Sequence, residues 1–194
     1  TYELPPEQAL VLADEESPLF LPAAWNVPAS LWFDEDKVAQ AFRTGEGVAW
    51  RDHHERLSCG VAAFYRNCYR GSLLQDWLPA LSGVIEKLKQ GAKVADIGCG
   101  HGHSTLLMAA AFPNSRFWGF DNHEESVAAA QEQARRANAG LSVTFEVATA
   151  QSYPPQGFDL ICFFDCLHDM GDPVAAAQHA AAALAEEGTV MLVE

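Results

Sequence analysis

Lys93-Val-Ala-Asp-Ile-Gly-Cys-Gly-His-Gly102 runs from a short apolar segment into a loop with a glycine at every second position. Lys93 to Ile97 reads as a buried strand, and Ser104 to Phe112 as the helix that follows. Gly98, Gly100 and Gly102 let the backbone turn sharply and approach a ligand without interference from a Cβ. The helix start beyond them offers unpaired N–H groups to an anionic group. Asp96, at the strand's end, is placed to receive a cationic amine. Together these features suit a zwitterionic amino-acid tail. A dinucleotide site carries G-x-G-x-x-G, and its pyrophosphate would be repelled by Asp96, so the G-x-G-x-G spacing disfavours an NAD-dependent oxidoreductase. The competing reading is a glycine turn needed only for strand–helix packing.

Strand–helix alternation continues outward from this loop. Strands are expected at Arg116–Phe120, Leu141–Val147, Phe158–Phe164 and Gly188–Val193. Helices are expected at His123–Ala139, with Asn122 as cap and Gly140 as stop, and at Pro173–Glu187, with Asp172 as cap and Gly188 as stop. Such alternation implies right-handed crossovers and a parallel sheet covered on both faces, with ligands beyond the carboxyl ends of the strands. The expected fold is α/β and Rossmann-like over residues 92–194. Residues 1–91 read as a helical N-terminal segment broken by Pro5, Pro6, Pro18, Pro22 and Pro28. Helices are expected there at Glu7–Ala13, Leu31–Phe42, His53–Tyr69 and Leu81–Gln90.

Trp118-Gly-Phe-Asp-Asn122 puts Asp121 at the end of the second strand. A carboxylate there accepts hydrogen bonds from both ribose hydroxyls of an adenosine-type ligand. Alternatively, Asp121 or Asn122 is only a helix cap.

The chain has 194 residues, is 49% hydrophobic and carries a formal net charge of −14. That size supports one core with an extension. That charge repels phosphate backbones and anionic lipid, so nucleic acid and membrane are not expected partners. Five cysteines without a C-x-x-C pair fit a reducing cytoplasm better than a disulfide framework. No apolar run is long enough to span a bilayer and no signal peptide opens the chain. The chain starts at Thr1 and ends within an expected strand, which reads as cuts at both ends.

These motifs resemble those of class I S-adenosylmethionine-dependent methyltransferases. Asp96-Ile-Gly-Cys-Gly-His-Gly102 is similar to their first motif, Asp121 to their ribose-binding acid, and Phe158-Asp-Leu-Ile-Cys-Phe-Phe-Asp165 to their strand-four motif beside the methyl donor. The resemblance implies S-adenosyl-L-methionine as cofactor. It would be held by Asp96, Gly98, Cys99, Gly100, Asp121, Asn122, Ala148, Thr149 and Asp165, with Asp96 on the methionine amine, Asp121 on the ribose, and Ala148 and Thr149 on the adenine. Many relatives carry an acid facing the adenine amino group, whereas Glu146-Val-Ala-Thr-Ala150 has none at that point. A closer resemblance is to bacterial, mycobacterial-type methyltransferases with an N-terminal winged helix. It rests on Phe64-Tyr-Arg-Asn-Cys-Tyr-Arg70, Asp76-Trp-Leu-Pro-Ala-Leu81 and Cys166-Leu-His-Asp-Met-Gly-Asp-Pro173. On that resemblance a winged helix precedes residue 1, the helical segment links it and covers the active site, and the sheet is truncated after its fifth strand. A homodimer is possible for the full-length protein.

Leu167-His168-Asp169 is similar to a segment of plant-type small-molecule O-methyltransferases whose histidine is the general base. Methyl transfer to a hydroxyl needs a proton acceptor, and a histidine near neutrality suits that task. The alternative is a loop residue that packs locally. His101-Gly-His103 and His53-His54-Glu55 lack a completing ligand set at metal-site spacing, so no metal is expected. The expected function is methyl transfer to a small molecule, more at oxygen than elsewhere. A regulator that senses S-adenosylmethionine without turnover is the alternative from another class.

Overall fold

A computed structural model describes residues 3–194 and divides the chain into two compact units, Thr1–Gly71 and Ser72–Glu194.

In the first unit, α1 spans Pro6–Leu12, α2 Asn26–Thr44 and α3 Arg56–Cys68. α2 begins five residues before the expected Leu31, because Pro28 falls in its first turn, where an N–H has no intrahelical partner to lose. Gly45, at φ 77°, ends it. α2 and α3 meet at Gly60, where a Cβ would lie 2.9 Å from Val27. The buried Asp34 accepts from Lys37 Nζ at 2.8 Å and His54 N at 2.8 Å, with His53 Nδ1 at 3.0 Å. The Lys37 hydrogen bond leads the interactions that hold its carboxyl well below the usual aspartate range.

After a π-helical stretch at Tyr69–Trp77, the second unit contains α4 (Val84–Gln90), β1 (Lys93–Ile97), α5 (His103–Ala111), β2 (Arg116–Asp121), α6 (Glu124–Arg136), β3 (Val143–Val147), β4 (Phe158–Phe164), α7 (Pro173–Ala183) and β5 (Leu184–Val193). The five strands form one sheet in the order β3-β2-β1-β4-β5, every neighbouring pair parallel. The α/β expectation therefore holds. The order reverses direction between β1 and β4, and a crevice opens at such a point beyond the strands' carboxyl ends. Val94, Ala95, Asp96 and Ile97 are all buried, as befits the central strand. One face of the sheet packs Ile97, Phe120, Phe158 and Phe163 with Tyr153, Ala180 and Ala183.

The ends of α6 and α7 differ from the sequence reading. α6 starts at Glu124, not at His123, and Asn122 does not cap it. The Asp121 carboxylate accepts from His123 N at 2.9 Å instead. The helix ends at Arg136, four residues before Gly140, because Asn138 takes the left-handed turn at φ 54°. α7 has Asp172 as its cap, accepting from Ala175 N at 2.9 Å, but ends at Ala183 rather than Glu187. Leu184 already pairs with Phe158, and the register then shifts so that Thr189 pairs with Leu160. Strand pairing outweighs the helix propensity of Glu186 and Glu187. Gly188 sits at this irregularity, where a Cβ would lie 2.7 Å from Phe158 O.

α4 is joined to β1 through the buried Ser115, whose hydroxyl accepts from Ala92 N at 2.9 Å and donates to Leu88 O at 2.7 Å. Ser115→Ala strands a donor and an acceptor in the interior, so it should destabilise the second unit by about 1–3 kcal/mol. Urea denaturation followed by circular dichroism measures this, and an unchanged midpoint would show that water replaces both bonds.

Candidate active site

The glycine loop leaves β1 with three left-handed residues, Gly98 at φ 72°, Gly100 at 51° and Gly102 at 76°. Gly98 and Gly102 are glycines for a spatial reason as well. A Cβ at Gly98 would lie 2.8 Å from Cys166 Sγ, and one at Gly102 would lie 2.5 Å from the Phe145 ring. A Cβ at Gly100 would meet nothing within 4 Å, so the loop is open there. Gly98 N and Cys99 N both donate to Phe120 O, at 2.8 and 3.1 Å. The Cys99 side chain turns down towards Gly119, and burial pushes its thiol well above the ordinary range.

Asp96 is 1% exposed beneath this loop. Its Oδ2 accepts from Ser104 Oγ and Thr105 Oγ1, both at 2.6 Å, while Oδ1 is buried without a partner. Burial, against those two hydrogen bonds, pushes its carboxyl up from 3.8 to about 6. A buried carboxylate oxygen with no donor is costly, and a ligand ammonium is the group that would satisfy it. Ser104 and Thr105 were not anticipated from the sequence, although they open the helix that follows the loop.

Asp121 serves two backbone groups at once. Its Oδ2 accepts from Gly100 N at 2.8 Å and its Oδ1 from His123 N at 2.9 Å. Each oxygen keeps a second lone pair for a ligand hydroxyl. Asn122 beside it is exposed. Beyond β3, Ala148 N donates to Asp121 O at 2.9 Å, which brings this loop to the end of β2. The Thr149 hydroxyl is engaged with Ser152 Oγ at 2.8 Å. The orphaned Asp96 oxygen beneath the glycine loop, the open Gly100 within it and the spare capacity of Asp121 bonded to it fit an amino-acid-bearing nucleoside.

At the end of β4, Asp165 has a left-handed backbone, φ 50°, and its N–H donates to Val193 O at 2.7 Å. A non-glycine residue held there is strained, and such strain clusters at functional positions. Cys166 donates to Ile97 O at 3.1 Å, so the loop after β4 abuts the glycine loop two residues before His168. His168 is half-exposed, and its Nδ1 hydrogen-bonds Glu194 Oε2. Glu194 Oε1 accepts from Leu167 N at 3.0 Å. Asp165 Oδ1 lies 4.0 Å from His168 Nδ1, and Asp169 Oδ1 lies 3.6 Å from Nε2. The Glu194 hydrogen bond leads the interactions that raise the imidazole above its ordinary 6.5. Burial pushes Glu194 up, but the bonds from His168 and Leu167 outweigh it and leave the carboxyl lowered. Glu194 was missed in the sequence. Its signal was its place at the carboxyl end of a strand adjoining β4.

His101 and His103 have ring centroids 6.3 Å apart, and burial leads the effects that lower His101 below 6.5. Among the described residues, the three groups that converge within 4.8 Å are Asp165, His168 and Glu194.

Folding raises the Asp96 value, so the folded chain binds this proton more readily than the unfolded chain. The group's stability contribution is complete below its ordinary 3.8 and is lost as pH rises through about 6. Asp96→Asn should therefore gain stability relative to the unliganded wild type across that window, on the order of 2–3 kcal/mol. Urea denaturation at several pH values checks this; a difference that stays flat with pH would contradict the buried, uncompensated carboxylate.

Residues 88–194 match the model of a methyltransferase-domain family. The chain is 38% identical over 82 residues to a trans-aconitate 2-methyltransferase of Streptomyces avermitilis, covering 42% of this chain and 30% of that one. It is 32% identical over 114 residues to the 27-O-demethylrifamycin SV methyltransferase of Amycolatopsis mediterranei, covering 58% and 41%. Among solved structures, it shares its fold with the O-methyltransferase of a trans-AT PKS multienzyme of Brevibacillus brevis, solved in complex with S-adenosyl-L-homocysteine. That likeness has a TM-score of 0.50 and 24% identity, and covers 52% of this chain and 34% of that one. The aligned segments thus span well under half of these relatives. Among the described residues, no helix is long and apolar enough to cross a membrane. The second unit carries the matched segment, and the chain belongs to the methyltransferase-domain family.

Proposed function

We propose that this protein transfers a methyl group from S-adenosyl-L-methionine to a small molecule, at oxygen, with His168 as general base. The observation that carries the proposal is a histidine held by Glu194 at the end of β4, in a loop that touches the glycine loop through Cys166. In this reading Asp96 Oδ1 takes the ammonium, the open turn at Gly100 admits the methionine tail, and Asp121 takes the ribose. Gly98 and Cys99 shape the loop, while Asn122, Ala148 and Thr149 border the adenosine. The cofactor supplies an electrophilic methyl carbon on a sulfonium.

The chain's own residues do the rest. Glu194 fixes the His168 ring through Nδ1 and favours its protonated form. Nε2 is left to take the proton of an acceptor hydroxyl. Asp165 and Asp169 add negative charge that stabilises the imidazolium once formed. The carboxylates around His168 and the net charge of −14 support a small acceptor rather than nucleic acid. A cytoplasmic location, a winged helix before residue 1 and a homodimer complete the proposal, on the resemblance described above.

Titration calorimetry should give binding of S-adenosylmethionine and S-adenosylhomocysteine but not of NAD; binding of NAD alone would overturn the assignment. With an acceptor that supports turnover, the rate should rise with pH through a value above 6.5, the direction set by the raised imidazole. His168→Gln should lower the rate by about 10²–10⁴-fold and abolish that limb, with cofactor affinity unchanged. Glu194→Gln should move the limb to lower pH. Asp165, His168 and Glu194 together have a spacing that a divalent cation would also bridge. On the base reading a chelator leaves the rate unchanged; loss of activity restored by a divalent cation would replace that reading with a metal-assisted one.

A further inference from the structure

Gly119 lies in the middle of β2, in ordinary strand conformation that any residue adopts, so backbone freedom does not explain it. Space does. A Cβ built there would lie 2.4 Å from two atoms of the Phe145 ring and 2.9 Å from Cys99 Sγ. Phe145 is its partner on β3, and the ring leans across the sheet into the space that Gly119 leaves. The far end of the same ring lies under Gly102, where a Cβ would be 2.5 Å from Cζ and 3.0 Å from Ala130 of α6. The ring is thus confined between β2 and the end of the glycine loop, and Phe145 is 5% exposed. α6 holds both sides of this arrangement: Gln131 Nε2 donates to Phe145 O at 3.0 Å and Gln133 Nε2 to His101 O at 2.9 Å.

We infer that Phe145 is a positioning residue for cofactor binding, a wedge that fixes the height of the glycine loop at Gly102. The loop is also held by Phe120 O, which accepts from Gly98 N and Cys99 N, by Asp121, which accepts from Gly100 N, and by Gln133, which donates to His101 O; the Phe145 ring is the packed support beneath Gly102. The three atoms nearest a Cβ built at Gly102 are Cζ and Cε1 of the Phe145 ring and Cβ of Ala130. Interiors transmit such contacts because they are close-packed, and a ring that moves by a few tenths of an ångström moves the loop with it. The site's geometry therefore depends on matched sizes at positions 119 and 145. This inference rests on the S-adenosylmethionine reading.

The test is titration calorimetry of S-adenosylhomocysteine with the full-length protein. It uses wild type, Gly119→Ala, Phe145→Val, the double variant and Phe145→Leu, each with its melting curve in the absence of ligand. Gly119→Ala should weaken binding more than tenfold, because the methyl drives the ring against Gly102. Phe145→Val should weaken it several-fold by removing the packed support beneath Gly102. The double variant should recover most of the loss of Gly119→Ala, because the smaller side chain makes room for the methyl. A double variant that binds no better than Gly119→Ala would overturn the role, as would wild-type affinity in both single variants. If Gly119→Ala does not fold, Phe145→Leu decides: several-fold weaker binding with an unchanged melting curve supports the wedge, and unchanged affinity overturns it. A wild-type protein that binds no S-adenosylhomocysteine overturns the cofactor reading itself, and the role with it.

Discussion

At Gly98 and Gly102 the backbone of the glycine loop lies closer to its neighbours than a side chain would allow. At Gly98 the limit is set by Cys166, at Gly102 by Phe145, and a hydrogen bond from Gly100 N to Asp121 ties the middle down. These contacts join β1 to β4, β3 and β2 respectively, so one five-residue loop registers the ends of four strands. A side chain at 98 or 102 would have to displace packed atoms, and the left-handed backbone adds its own penalty for any residue but glycine. Strand order then places this loop at the reversal between β1 and β4, where an α/β sheet leaves room for a ligand.

Charge is arranged around that loop in two opposed ways. Asp96 is buried with one oxygen unpartnered, which is costly unless a cation arrives. His168 is open to solvent and surrounded by carboxylates, which costs little and raises its affinity for a proton. The first arrangement is the one we propose for an ammonium group, and the second the one we propose for a proton acceptor. Both lie at carboxyl ends of neighbouring strands, linked through Cys166 and Ile97. The strained backbone of Asp165 sits between them, where the chain must turn abruptly to leave β4.

Much of this was legible in the sequence because local rules agreed with one another. β1 and β4 were readable to the residue, being continuous apolar runs that end at a glycine loop and an acid. Asp172 and Pro173 announced the start of α7 by the usual cap chemistry. What was not legible depended on partners far away in the chain. The end of α7 was misjudged because Glu186 and Glu187 favour helix locally, whereas β4 recruits the segment from Leu184 onward. Asn122 was a plausible cap, but the Asp121 carboxylate reached His123 N first. Glu194, Ser104 and Phe145 carry no motif of their own. Their importance arises from which strand or loop the fold sets beside them, at sequence separations of 26 residues for His168–Glu194 and 8 for Asp96–Ser104.

The central claim is that the vacant hydrogen-bonding capacity of Asp96 exists for the amino group of a nucleoside-linked amino acid. A crystal structure with S-adenosylhomocysteine bound tests it most directly. The account predicts the ligand ammonium within hydrogen-bonding distance of Asp96 Oδ1, its ribose hydroxyls on Asp121, and the sulfur facing the loop that carries His168. A ligand seated elsewhere, or one whose amine is held by other groups while Asp96 Oδ1 stays unpartnered, would contradict it.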